Sequence, residues 1–99
     1  MEKIIFVGGK PVMNYVTSIV MQFTAHGMNE VAIKARGQFI SRAVDSAEVA
    51  TKRFLQGQVG VKNITINSEE FKNESGKQVR VSTIEILLSR VPSGGAPAA

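Results

Sequence analysis

The side chains of this chain best placed to do chemistry are cations. Residues 34–42 (KARGQFISR) carry Lys34, Arg36 and Arg42 with no acid between them. Two of these close an expected strand, and the third falls in the first turns of the helix that follows. Cations held in a row on firm elements can follow the phosphates spaced along a nucleic-acid strand. The alternative is a solvated rim of ordinary Lys and Arg, and composition alone does not separate the two. A second candidate is Gly8-Gly9-Lys10-Pro11. Backbone N–H groups at a helix start, aided by the helix dipole and a lysine, favour an anion. The segment lacks the length and the terminal Lys-Ser/Thr pair of a nucleotide P-loop, so ATP binding does not follow. A glycine turn before a proline helix start accounts for it equally well.

Catalytic and metal chemistry find little to work with. The single histidine, His26, stands just before Gly27 at an expected helix end, where an imidazole satisfies terminal carbonyls, and no partner for it is evident. Asp45 and Glu48 lie three apart on a helix, with Arg42 and Lys52 at neighbouring spacings, the arrangement of a solvated charged face. The absence of cysteine excludes disulfides, thiolate metal sites and cysteine nucleophiles, and suits a reducing interior. Gly57-Gln58-Val59-Gly60 matches the GXXG of KH domains but joins a helix to a strand, the wrong context for that loop. The aromatics Phe6, Tyr15, Phe23, Phe39, Phe54 and Phe71 are scattered, so no basic-aromatic string of the RRM kind exists. We expect no enzyme, no metal and no cofactor.

The elements that must hold the cations follow from hydrophobic periodicity. Residues 3–7 form a short apolar run rich in β-branched and aromatic side chains, a buried strand too short for a signal peptide or membrane span. Pro11 suits the first position of a helix whose face is Val12, Val16, Ile19, Val20 and Phe23, closed at His26-Gly27. Residues 30–35 alternate as a second strand that ends at Arg36-Gly37. A second helix over residues 39–55 carries one stripe of Ile40, Ala43, Val44, Ala47, Ala50 and Phe54. Residues 61–67 and 79–90 alternate at period two, the first around Ile64 and Ile66, the second around Ile84, Ile86 and Leu88. Between them residues 69–78 are polar and read as a long exposed hairpin tip. Val79 and Val81 fall on the face opposite Ile84 and Ile86, which suggests that the outer hairpin leaves the core as an arm. The order is βαβαββ, with both helices on one face of a small sheet.

At 99 residues the chain accommodates one domain, 1–91, followed by a flexible tail, 92–99 (PSGGAPAA). Its 43% hydrophobic and 20% charged residues are those of a globular protein. A net charge of +4 with a pI near 9.8 passes the usual cue for a polyanion-binding domain. Between Lys3 and Asp45 five basic residues face one acid, Glu30, so the first half carries the positive field.

KPVMNYV (10–16), IKARG (33–37), ISRAVD (40–45), RF (53–54) and VSTIEI (81–86), in this order, resemble the archaeal Alba family over nearly all of the chain up to Arg90. The resemblance implies an α/β fold of the α+β sandwich kind, βαβαββ with two helices on one face of a four-stranded mixed sheet, similar to the C-terminal domain of translation initiation factor three. It implies a homodimer that coats and compacts double-stranded DNA through backbone contacts without sequence preference, cytoplasmic and chromosome-associated, with RNA binding as the alternative. Carried onto this chain, it assigns Lys10, Asn14, Tyr15, Lys34, Arg36, Gln38 and Arg42 to the body of the nucleic-acid-binding surface. Lys77 and Arg80 fall on the arm, with Lys72 a further candidate. Phe54 matches a position of dimer-to-dimer packing, against its reading as a core residue of the helix stripe. Many members carry two lysines before the proline. The first, an acetylation target by the resemblance, is Gly9 here, which leaves Lys10 as the candidate. Many also carry Arg where Gln38 stands, and each phosphate left without a cation lowers the salt slope by ~0.9.

Overall fold

The computed structural model describes residues 3–91, so the tail expected over 92–99 lies outside the described residues. Strand β1 (Lys3–Phe6) leads through a loop to helix α1 (Val12–Thr24), then to strand β2 (Glu30–Arg36). A single tight turn, Gly37–Phe39, opens helix α2 (Ile40–Val49), which continues into a widened turn, Ala50–Phe54. The long strands β3 (Val59–Lys72) and β4 (Gln78–Arg90) form the closing hairpin. The order is the expected βαβαββ, and the strands lie β1-β2-β4-β3 in one sheet. β1 and β2 are parallel, whereas β4 runs antiparallel to both β2 and β3.

Burial explains the layering. Ile5, Val31, Ile33, Ile86 and Leu88 project from one face of the sheet into a core with Val16, Ile19 and Phe23 of α1 and Ala43, Ala47 and Ala50 of α2. The alanines let α2 lie close to the strands, while Phe23 fills the larger space under α1. Burying such a ring is worth about 1.5–3 kcal/mol. Arg90, from the end of the last strand, donates to the carbonyls of Phe23 and Met28 and lies over the Phe23 ring, satisfying backbone acceptors near the end of α1.

Two residues of the expected second-helix stripe, Phe54 and Val44, are not in the core. Continuing the 3.6-residue stripe puts Phe54 inside with Ala47 and Ala50, but Leu55 N–H reaches back five residues to the Ala50 carbonyl at 2.9 Å. That extra residue per turn rotates Leu55 into the core, where it is 2% exposed, and leaves Phe54 51% exposed. Val44 also leaves the stripe and is exposed. In β3 the alternation is real but not buried: Ile64 and Ile66 are 55% and 76% exposed. They share the helix side of the sheet, yet α1 and α2 pack over β1, β2 and β4, and β3 is the uncovered edge.

The hairpin tip is shorter than its polarity implies. Residues 69–72 remain in β3, and Glu69↔Val81 and Phe71↔Val79 are cross-strand neighbours. Only residues 73–77 turn. Asn73 Oδ1 accepts from the Ser75 and Lys77 amides at 3.1 and 2.9 Å, and Gly76 takes φ +80°, which a Cβ would oppose. Because β2 ends at Arg36 opposite Thr83, the strands beyond that row have no third partner and extend as an arm. The molecule accordingly measures 54 × 26 × 24 Å.

Candidate nucleic-acid interface

The parallel strands β1 and β2 both end on the same edge of the sheet, and the loops that leave them form the centre of the site. After β1 the chain turns through Gly8-Gly9-Lys10. Its shape is set by a side chain from within: the Tyr15 hydroxyl accepts from the amides of Gly8 at 2.9 Å and Lys10 at 3.1 Å. From the other helix, Arg42 Nη1 donates to the Lys10 carbonyl at 2.7 Å. Lys10 and Arg42 thus stand together, one on each helix start, around a loop tied down at three points.

The phenol of Tyr15 is buried and registers this environment. Desolvation raises its pKa, but the Lys10 and Gly8 amides and the charges of Lys10 and Arg42 together outweigh that effect and hold the hydroxyl below its ordinary value. Tyr15 therefore shapes the loop from beneath, and its ring is not presented to a ligand. Asn14, one residue earlier in the helix, is exposed.

Arg36 and Lys34 lie on the sheet face turned away from the helices. Arg36 contacts Glu69 of the arm at 2.9 Å, and its guanidinium sits 5.9 Å from the Phe71 ring centroid. Lys34 faces Glu85 at a looser 3.8 Å. Both pairs are half exposed, and pairs of that kind contribute about 0–1 kcal/mol, so a phosphate can compete for either cation. The turn between β2 and α2 bears the exposed Gln38 and approaches the loop after β1, where a Cβ on Gly9 would stand 4.0 Å from the Phe39 ring. It also approaches the arm. Gly37 takes φ +54°, and a Cβ there would stand 3.6 Å from Val81.

The structure therefore brings Lys10, Arg42, Arg36 and Gln38 to one end of the sheet, with Lys34 one row further in. Lys77 and Arg80 are out on the arm. Lys77 is in the turn, and Arg80 stands across from Glu70 on the helix side, away from the Arg36 face. Residues 67–82 hold Lys72, Lys77 and Arg80 against Glu69, Glu70 and Glu74, so the arm is neutral and the positive field belongs to the body. The sequence reading missed the carboxylates that pair Arg36 and Lys34, since both partners come from the distant hairpin. It also missed Phe6, 72% exposed on the same face as Lys34. The alternation of Ile5, Phe6 and Val7 carried that signal, because a strand that buries its odd positions must expose the even one.

Among the described residues no helix is long and apolar enough to cross a membrane, and no cluster of His, Asp or Glu could hold a metal ion. The Alba family model matches residues 3–68. The chain is 48% identical over 88 residues to the DNA/RNA-binding protein Alba of Methanococcus maripaludis, covering 89% of this chain and 98% of that protein. It is 59% identical over 85 residues to the DNA/RNA-binding protein Alba of Nanoarchaeum equitans, covering 85% and 93% respectively. Its fold is similar to the structure of Alba from Thermoplasma volcanium, with a TM-score of 0.80 at 45% identity over 89% of this chain and 100% of that one. Those relatives are named for binding and not for a reaction, in agreement with the poverty of catalytic groups. A matched family model over about two thirds of the sequence, and relatives near half identical over almost all of it, settle the assignment: the chain belongs to the Alba family.

Proposed function

We propose that this chain is a sequence-nonspecific double-stranded DNA-binding protein that coats and compacts chromosomal DNA as a homodimer, through its phosphates. The observation that carries this reading is the loop at residues 8–10, fixed by the Tyr15 hydroxyl and by Arg42, with Arg36 at the neighbouring strand end. Cations on so constrained a backbone lose little freedom when they meet a phosphate, and phosphate contacts position a protein without reading sequence. Lys10, Asn14, Arg36, Gln38 and Arg42 form the body of the surface, with Lys34 behind them and Lys77 and Arg80 on the arm. Tyr15 supports it from below.

Relatives named DNA/RNA-binding proteins favour RNA as a second ligand of the same surface. The apolar edge of β3, where Ile66 shares a groove with Ile40, supports a dimer contact, and the exposed Phe54 supports packing between dimers. Lys10, exposed beside a helix start, is the residue where acetylation would remove a phosphate contact, and a cytoplasmic, chromosome-bound location follows from the ligand.

Titration of unrelated duplexes at several salt concentrations tests the proposal. The expected result is similar affinity for all sequences, with log K falling linearly in log salt by ~0.9 per phosphate contact. Strong discrimination among sequences, or affinity indifferent to salt, would remove it.

A further inference from the structure

The face of the sheet turned away from the helices forms an open groove of about 820 Å³, lined among others by Phe6, Lys34, Arg36, Phe39, Phe71 and Glu85. That volume lies within the range of pockets that enclose a small ligand, about 300–1,000 Å³. The duplex reading uses only the cationic rim of this groove, at Lys34, Arg36 and Gln38, and gives no role to Phe6 and Phe71. Three of the five phenylalanines of the chain border it, and Phe6 is 72% exposed there.

Its charges alternate. Across one row of the sheet stand Phe6, Lys34, Glu85 and Thr65, and across the next Arg36, Thr83 and Asn67. Lys34 is balanced by Glu85 and Arg36 by Glu69. With its cations paired to carboxylates, the groove attracts a phosphate chain less than unpaired cations would. It does match the edge of a nucleobase, whose ring carbonyls and nitrogens accept from Lys, Arg or Thr and whose exocyclic amines donate to Glu or Asn. The aromatic rings supply the faces on which such bases stack. A duplex keeps its base faces inside and cannot use them, whereas an unpaired strand turns its bases outward.

We infer that this sheet face is a second binding site, for unpaired nucleotides of single-stranded RNA or DNA, with Phe6 as a stacking platform. The groove reaches the body surface at Arg36 and Gly8, so a strand whose bases lie on the sheet leads its phosphates toward the cations around Lys10. The inference deepens the proposed function by naming the form of nucleic acid that this face selects.

The chain contains no tryptophan, so Phe6→Trp introduces a single fluorophore at the platform. Saturation with a twelve-nucleotide oligo(U) or oligo(dT) quenches that emission, while a blunt duplex bound to the same protein leaves it unchanged. Phe6→Ala, harmless to folding at so exposed a position, weakens single-strand affinity about tenfold, and Phe6→Tyr restores it. Duplex affinity stays within about twofold of the parent protein, since stacking contributes nothing there. Equal quenching by duplex, an equal loss for both ligands in Phe6→Ala, or no binding of single strands overturns the inference. So does a change in sedimentation on Phe6→Ala, which would assign the face to a second copy of the chain. Failure of Lys10→Ala to weaken duplex binding would instead remove the proposed function and leave the tryptophan readout standing.

Discussion

At the scale of single residues, the candidate site turns on a side chain that does not present itself to a ligand. The Tyr15 hydroxyl is the common acceptor for two amides of the loop that carries Lys10. Tyr15→Phe keeps the ring in the core but leaves both amides without that acceptor, and we expect the melting temperature to fall by roughly 5 °C. Duplex affinity should fall with it, because Lys10 is then no longer held in place. The pH dependence separates this role from simple packing. A phenol whose folded pKa lies below the unfolded 10.0 releases its proton first in the folded protein. Above the folded value the unfolded chain binds more protons, so stability grows with pH until about 10, and the contribution is lost as pH falls back through the folded value. Urea unfolding of the parent protein and Tyr15→Phe at pH values from about 8 to 10 should show their difference widening. A constant gap would mean that the hydroxyl acts through packing alone.

At the scale of elements, most of the architecture was legible, and the misreadings have specific causes. Period-two and period-3.6 patterns located every strand and helix, and in all of them but β3 the apolar face is buried over much of its length. The patterns fail where burial comes from elsewhere. Ile64 and Ile66 alternate as a core strand does, but no helix of the same chain covers them. Phe54 sits on the ideal stripe, but the five-residue step from Ala50 to Leu55 turns it outward. Periodicity cannot reveal an added residue in a turn. The basic residues of the site were legible through their density, whereas their partners were not, because pairing Arg36 with Glu69 needs the hairpin register. That pair yields a prediction about the arm. Glu69 occupies the guanidinium that a phosphate would reach on the proposed function, so Glu69→Gln removes a competitor. Duplex affinity at low salt should rise about two- to fivefold, the worth of an exposed ion pair, and the gain should shrink as salt screens both interactions. Fluorescence anisotropy across a salt series measures this, and an unchanged or weaker affinity would show that the arm holds Arg36 in its working position.

At the scale of the whole molecule, the proposed coating of DNA by a homodimer makes a prediction about how two chains would meet. Each protomer carries its cations at one end of the sheet and its neutral arm beyond them, while the apolar edge of β3 is bare. Contact through Ile66 and its neighbours would double the net charge from +4 to +8 and set two loops and two arms on one particle. Ile66→Glu places a charge at the centre of that edge without touching the core, because the side chain is 76% exposed in the protomer. The circular dichroism spectrum should therefore be unchanged, and on the proposed assembly sedimentation should report a dimer for the parent protein and a monomer for the variant. Duplex binding then supplies the decisive quantity. The slope of log K against log salt counts neutralised phosphates, so splitting the dimer should reduce it to about half. If Ile66→Glu sediments as the parent protein does, the subunits meet through another surface. If it sediments as a monomer but keeps the full slope, each chain binds DNA independently, and the continuous face built from two subunits does not exist.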